Sequence, residues 1–169
     1  MTTKTKYRVG ALTASVLAIA GIKAHEGYRA APYHDVGKVP TVGYGSTRYE
    51  NGAKVQIGDQ PVTRERAESM LRAHVAKDEA RLRELLPGVQ LSQAEWDVYV
   101  DFAYNFGIPA FSKSSIRREL LNGNHTAACR ALLKYRFAAG RDCAVRTNGC
   151  YGVWQRQLDR YKKCMDANQ

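Results

Sequence analysis

Apolar residues recur at helical spacing through most of the second half of the chain. From Arg64 to Leu86, the positions Ala67, Met70, Leu71, Ala73, Val75, Ala80, Leu82 and Leu85 fall near a 3.6-residue period, which predicts a helix with one buried face. Pro61 precedes it, Thr63 offers an N-cap ahead of the charged turn Arg64-Glu65-Arg66, and Pro87-Gly88 ends it. Ser92-Gln93-Ala94-Glu95 has the spacing of a capping box. The helix it opens runs through Trp96, Val98, Tyr99, Val100, Phe102, Ala103 and Phe106 and stops at Gly107, with Pro109 beyond. Ser112 or Ser114 can cap a short helix through Leu121, closed by Asn122-Gly123. His125 to Leu133 and Val153 to Met165 also read as helices.

Residues 27–60 follow another rhythm. Gly27, Gly37, Gly43, Gly45, Gly52 and Gly58 punctuate the β-formers Tyr28, Tyr33, Val36, Val39, Thr41, Val42, Tyr44 and Val55. This predicts a small antiparallel sheet with tight turns. A helix ending near Glu26 leads into it. The pattern describes a mostly helical α+β chain, with a small antiparallel β lobe, a larger helical lobe and a cleft between them where ligand sites tend to fall. No repeat, low-complexity block or Pro/Gly-rich linker interrupts it.

The first 25 residues stand apart. Lys4, Lys6 and Arg8 precede an uncharged run from Val9 to Ile22, and Lys23 closes it. Basic flank plus apolar run is the layout of an export signal, and Ala18-Ile19-Ala20 offers a small-x-small cleavage site. The run makes about 21 Å of helix, short of a hydrocarbon core of roughly 30 Å. Ala, Gly, Ser and Thr also leave it weakly apolar. Three readings are open: a cleaved signal, a helix packed in the core, and a weak membrane anchor able to leave the bilayer.

The chain's 169 residues suit one domain, or two lobes sharing a core. Hydrophobic residues at 44% and charged residues at 25% exclude a collagen-like, mucin-like or fully disordered chain. The 26 Lys+Arg against 16 Asp+Glu give +10, which points to a polyanionic partner. Nucleic acid, lipid headgroups and an anionic cell-wall polymer all satisfy that. The cysteines, Cys129, Cys143, Cys150 and Cys164, show no CxxC and no histidine at zinc-finger spacing, so no metal site is expected. With an export-like N-terminus, two disulfides in an oxidising compartment are favoured over four reduced thiols. Of the three pairings, the nested one is natural: Cys143–Cys150 pinning a loop and Cys129–Cys164 tying the last helix to an earlier one.

Glu26 and Asp35 are candidates for chemistry. A carboxyl ending an apolar helix is partly desolvated, which suits a general acid, and a second on a polar turn supplies negative charge. Two carboxyls in contrasting environments are what glycosidic bond hydrolysis needs. The surrounding residues sharpen this. His25-Glu26-Gly27-Tyr28-Arg29-Ala30-Ala31-Pro32-Tyr33-His34-Asp35, then Pro40-Thr41-Val42-Gly43-Tyr44-Gly45-Ser46-Thr47, resembles the active-site segment of phage-type lysozymes, glycoside hydrolase family 24. That family's Glu-x8-Asp-x5-Thr triad is matched at Glu26, Asp35 and Thr41. Phe102 to Gly107, Phe111 to Gly123 and Gly152-Val153-Trp154-Gln155-Arg156 resemble later family segments, in order.

The resemblance implies a lysozyme-like two-lobed fold and hydrolysis of the β-1,4 bond between N-acetylmuramic acid and N-acetylglucosamine in peptidoglycan, causing host lysis. It implies no cofactor and a monomer. Glu26 would be the general acid, Asp35 would stabilise oxocarbenium charge and help position water, and Thr41 would help hold that water. Arg156 would pair with Glu26 or lie on a helix surface. Asn105 would brace the interlobe hinge, and Gly43, Tyr33 and Tyr44 would support the site, the two tyrosines mainly by packing. The family's histidine after Gly-x-Gly is here Ser46, and Arg156 alone remains of its consecutive arginines.

The resemblance also weighs on the N-terminus. Cleavage after Ala20 would remove most of the helix that carries Glu26, which disfavours a cleaved signal. Residues 1–17 then read as a basic flank and the start of an export or anchor helix. Residues 18–169 read as the lysozyme domain, with catalytic helix and β lobe over about 18–60 and helical lobe over about 61–169. This looks like signal-arrest-release endolysins: tethered and inactive at the host inner membrane, then released to the periplasm. The alternative is a cytoplasmic endolysin released with a separate holin. Rival functions are a lytic transglycosylase on the same bond and a basic non-enzymatic nucleic-acid binder. The spread of Lys and Arg along the chain speaks against the latter, so no nucleic-acid partner is expected.

Overall fold

A computed structural model describes residues 5–35 and 37–169. In chain order it contains β1 (Tyr7–Arg8), α1 (Val16–Glu26), β2 (Arg29–His34), β3 (Pro40–Gly43), α2 (Arg64–Leu85), β4 (Gln90–Leu91), α3 (Gln93–Phe106), α4 (Ile108–Ser112), α5 (Ser115–Leu121), α6 (His125–Ala131), β5 (Phe137–Ala138), β6 (Arg141–Asp142) and α7 (Tyr151–Ala167). The chain groups into two compact units. Ala14–Ala80 form one, and the chain up to Thr13 together with Arg81–Gln169 forms the other.

The predicted caps are formed. Thr63 Oγ1 accepts the Arg66 N–H at 3.2 Å. Ser92 Oγ accepts the Glu95 N–H while the Glu95 carboxylate takes the Ser92 N–H, completing the capping box. Ser114, not Ser112, caps α5. The core of the larger unit gathers on α3, whose Trp96, Tyr99 and Phe102 are fully buried together with Phe111 and Leu132. The Phe102 ring lies 4.6 Å from that of Tyr135 and 4.8 Å from that of Phe106.

Both nested disulfides are present. Cys129–Cys164 joins α6 to α7 with Cα atoms 5.5 Å apart. Cys143–Cys150 pins the loop before α7 at 4.9 Å.

In the smaller unit, β2 and β3 form the predicted antiparallel pair. Arg29 faces Gly43 and Tyr33 faces Thr41, so β2 carries extra residues across that interval. Pro32, which lacks an N–H to donate to a ladder, sits within this bulged stretch. The Val62 N–H closes onto the Ala30 carbonyl at 2.9 Å.

The N-terminal run differs from the single helix its apolarity suggests. Lys4 lies outside the described residues. Tyr7–Arg8 pair with Gln90–Leu91, Val9–Ala11 make one 3-10 turn, and α1 begins only after Ser15. Distant partners enforce the break. The Val9 N–H bonds the Val89 carbonyl at 3.2 Å, Arg83 reaches the Leu12 carbonyl at 2.6 Å, and Gln93 reaches the Thr13 carbonyl at 2.7 Å. Val9, Leu12, Ile19 and Ile22 are buried, while Val16 and Leu17 are 75% and 82% exposed. Residues 5–13 group with the helical unit, and the other unit begins at Ala14. Among the described residues no helix is long and apolar enough to cross a membrane.

Candidate active site

Glu26 is the last residue of α1 and is half-buried. Its helix is fixed at both ends. The Ser15 hydroxyl accepts the Ala18 N–H at 3.1 Å, and the Gly27 N–H bonds back to the Lys23 carbonyl at 3.1 Å. Gly27 has φ 68°, a backbone state that costs a residue bearing Cβ, so the chain can leave the helix directly into β2. Lys23 pairs with Glu68 of α2, which also holds Arg72 at 2.7 Å. That pairing anchors the helix turn that delivers Glu26.

Asp35 builds the turn between β2 and β3. Its Oδ1 accepts the N–H groups of Gly37 and Val39, both at 2.8 Å. Its own N–H donates to the Val39 carbonyl at 3.1 Å, and its carbonyl accepts the Lys38 N–H at 3.0 Å. Lys38 takes a left-handed φ of 60° inside this cradle. Val36, expected among the β-formers, lies outside the described residues.

Thr41 is 2% exposed, and its Oγ1 donates to the Val39 carbonyl at 2.9 Å. Val39 thus ties two candidate residues together. Its N–H goes to the Asp35 carboxylate, while its carbonyl takes both the Asp35 N–H and the Thr41 hydroxyl. Sequence reasoning treated Val39 as a strand former, because main-chain groups leave no mark in residue type. The spacing of Asp35 and Thr41 around one turn was the available signal. The Thr41 hydroxyl spends its single proton on Val39, so toward any water it can act only as an acceptor.

The supporting residues divide clearly. Tyr44 is buried, packs against Tyr28 at 5.6 Å between ring centroids, and lies under Lys23 at 5.4 Å. Arg29 lies 4.3 Å over the Tyr33 ring. Gly43 has φ 67°, and a Cβ there would lie 2.9 Å from the Ala67 Cβ, so glycine allows β3 to pass close over α2. Ser46 is 3% exposed and closes a backbone bridge with Val42. Asn105 and Arg156 belong to the other unit. There Arg156 Nη1 donates to Asn105 Oδ1 at 3.1 Å, joining α7 to α3, and Asn105 Nδ2 donates to the Asp101 carbonyl at 3.3 Å. Asp101 in turn holds Arg160 at 2.6 Å. Among the described residues no group of three His, Cys, Asp or Glu side chains is placed to hold a metal ion.

Comparison with known proteins gives this arrangement a context. The family model described as phage lysozyme matches residues 23–165. The endolysin of Salmonella phage P22 is 32% identical over 124 residues, 73% of this chain and 83% of that protein. An endolysin from Escherichia coli O157:H7 phage FAHEc1 superposes with a TM-score of 0.78 at 29% identity, covering 94% of this chain and 96% of that one. A P22 lysozyme mutant superposes with a TM-score of 0.74 at 27% identity, covering 91% and 99%.

Proposed function

The chain belongs to the phage lysozyme family and has its fold, and from that premise we propose how it works as a lysozyme-type glycosidase on peptidoglycan. The bond cut is the β-1,4 link between N-acetylmuramic acid and N-acetylglucosamine. Glu26 protonates the leaving oxygen. Asp35 stabilises the positive charge that develops on the sugar and accepts a hydrogen bond from the attacking water. Thr41 Oγ1 accepts a hydrogen bond from that water's other O–H, which leaves a lone pair of the water for the anomeric carbon. One observation carries the reading: Val39 joins the Asp35 carboxylate on the turn and the Thr41 hydroxyl on β3 through its own N–H and carbonyl, which brings both candidate groups to one place. Hydrolysis also separates this from transglycosylation, which needs an acid but no held water. Mass spectrometry of digested sacculi tests it. Reducing ends are expected, and anhydromuramyl ends would overturn the hydrolytic assignment. Clearing of a cell-wall suspension retained by Glu26→Gln would remove Glu26 from the acid's role.

The N-terminal segment supports signal-arrest-release over holin-dependent release from the cytoplasm. The folded protein uses Val9, Leu12, Ile19 and Ile22 as buried residues and α1 as the support of Glu26. Placing the run Val9–Ile22 in a bilayer withdraws all four and takes that helix out of its packed position, so tethering and catalysis exclude each other. Cell fractionation checks this. Uncleaved protein in the membrane pellet that moves to the periplasm on depolarisation is expected, and protein confined to the cytosol rejects it.

A further inference from the structure

A pocket of about 300 Å³ lies within the Ala14–Ala80 unit, between the 46–50 segment and α2. Glu26, Asp35 and Thr41 do not line it. Two of its wall residues are buried polar groups left without hydrogen-bond partners. Ser46 is 3% exposed, its N–H and carbonyl are both spent on Val42, and its Oγ meets no partner. Asp78 is 9% exposed, and its Oδ2 makes no hydrogen bond, with His74 one turn earlier at an ion-pair distance of 3.4 Å. Burial pushes the Asp78 carboxyl up, and His74 offsets part of that. Leaving a buried polar group unsatisfied is destabilising. Two such groups facing one cavity mark a place shaped to be filled.

The walls narrow the chemistry of what fills it. Met70 is 3% exposed, and with Ala73 it gives the pocket an apolar patch, while Tyr49 adds an aromatic wall. Arg48 is bonded to the Gly52 carbonyl at 2.7 Å and Glu50 is paired with Arg66 at 3.3 Å. An ammonium ligand would meet Lys77, Arg48 and His74, and a carboxylate would meet Asp78 and Glu50. A neutral group avoids both penalties. It must offer one proton to Asp78, accept one from Ser46, and present a small apolar end to Met70 and Ala73. A secondary amide with a methyl group satisfies all three.

We propose that this pocket is a second binding site for peptidoglycan, separate from the catalytic carboxyls, which seats a methyl-bearing secondary amide. The amide N–H goes to Asp78 Oδ2, its carbonyl accepts from Ser46 Oγ, and its methyl rests on Met70 and Ala73. The proposal builds on the peptidoglycan reading above. Two sources carry this group: the acetamido substituent of the glycan and the alanyl amide of the attached peptide. Either would hold the polymer to the enzyme at a point other than the bond being cut.

The test uses the oxidised full-length chain and proton–nitrogen NMR. One arm titrates N-acetylglucosamine and the other N-acetyl-L-alanyl-D-glutamate. The expected result is that one probe shifts the amides around Ser46 and Asp78, and the responding arm identifies the source. Asp78→Ala removes the acceptor. Ala73→Leu keeps every polar group and fills the space. Each is expected to weaken binding by about tenfold or more. Absence of shifts at the pocket with both probes overturns the proposal, as does binding unchanged in Ala73→Leu. Clearing of sacculi by the same preparation reports separately on the lysozyme reading. A protein that clears but shows no shifts overturns the pocket alone, and one that fails to clear overturns the reading beneath it.

Discussion

Glu95 is fully buried and holds four segments together. Its Oε2 accepts the Ser92 N–H at 2.9 Å and the Ser92 hydroxyl at 3.0 Å. Its Oε1 meets His125 Nδ1 at 2.8 Å and Asn168 Nδ2 at 2.9 Å. Lys6 stands 3.7 Å from Oε2 and donates to Asn168 Oδ1 at 3.0 Å. The start of α3, the start of α6, the residue after α7 and the N-terminal segment thus meet on one carboxylate. Burial alone pushes its pKa up. Hydrogen bonds from His125, Ser92 and Asn168, with the Lys6 charge, outweigh that and hold it at about 2 instead of 4.5.

A folded-state pKa below the unfolded one means stability that is present above pH 4.5 and lost as pH falls toward 2. The interval corresponds to about 3 kcal/mol, a large share of the margin of a domain this size. Glu95→Gln keeps the shape but removes the charge, and its amide nitrogen must face either the Ser92 N–H or the Asn168 amide, both of which donate. We expect the variant to lose about 3 kcal/mol at pH 7, or roughly 10 °C in Tm. The gap to the unmodified protein narrows as pH falls from 4.5 toward 2. Urea unfolding followed by circular dichroism at several pH values, with disulfides intact, measures it. A gap that stays constant with pH, or that is under about 1 kcal/mol at neutrality, refutes the reasoning.

Three further outcomes follow from the geometry. Asp35→Asn keeps an Oδ1 for Gly37 and Val39, so melting should change little while clearing of sacculi falls at least about a hundredfold; Asp35→Ala should also cost about 1–2 kcal/mol from the turn. Gly43→Ala places a Cβ 2.9 Å from the Ala67 Cβ at φ 67°, and a loss of roughly 2–4 kcal/mol is expected in thermal melts. Replacing Cys129 and Cys164 by Ala releases a loop of sequence separation 35 and should cost about 4 kcal/mol. The same change at Cys143 and Cys150, separation 7, should cost about 2.5 kcal/mol, and an inverted ranking in denaturant titrations contradicts the loop argument.

The helices α2, α3 and α5 were legible because each announces itself locally through a cap and a stop, while α6 and α7, which carry no side-chain cap, were legible only as helical stretches. The pairs β1–β4 and β5–β6 were not. Each strand has two residues, too short for an alternation, and β1 finds its partner more than eighty residues away. The short helix α4 hides behind Gly107 and Pro109, which read as a stop although Pro fits the first turn of a helix. In the candidate site, Glu26, Asp35 and Thr41 were visible through their match to the triad of the family the chain resembles, while Asn105 and Arg156 were named without their bond to each other, which spans 51 positions. Ser46 appeared as a departure from a family pattern. Its consequence, a hydroxyl without a partner in the same pocket as Asp78, depends on packing that residue order does not encode.

The candidate carboxyls share a local logic. Each sits where the backbone changes direction. Glu26 immediately precedes Gly27 at φ 68°, and Asp35 supports the left-handed Lys38 through bonds to the residues on either side of it. Direction changes of this kind depend on a few neighbouring residues, and such residues must stand at fixed offsets to work. The intervening strand has its own slack, since the bulge in β2 lies between the two turns. A shift in that bulge would move β2 past β3 and carry Tyr33 off Thr41, yet the cradle around Asp35 would travel with its own turn. Thr41 stays with Asp35 because both are held by Val39 rather than by the strand pairing. The Asp35–Thr41 geometry is thus held within one turn through Gly37, Lys38 and Val39, and the helix that ends at Glu26 is tied to α2 by the pair Lys23 and Glu68.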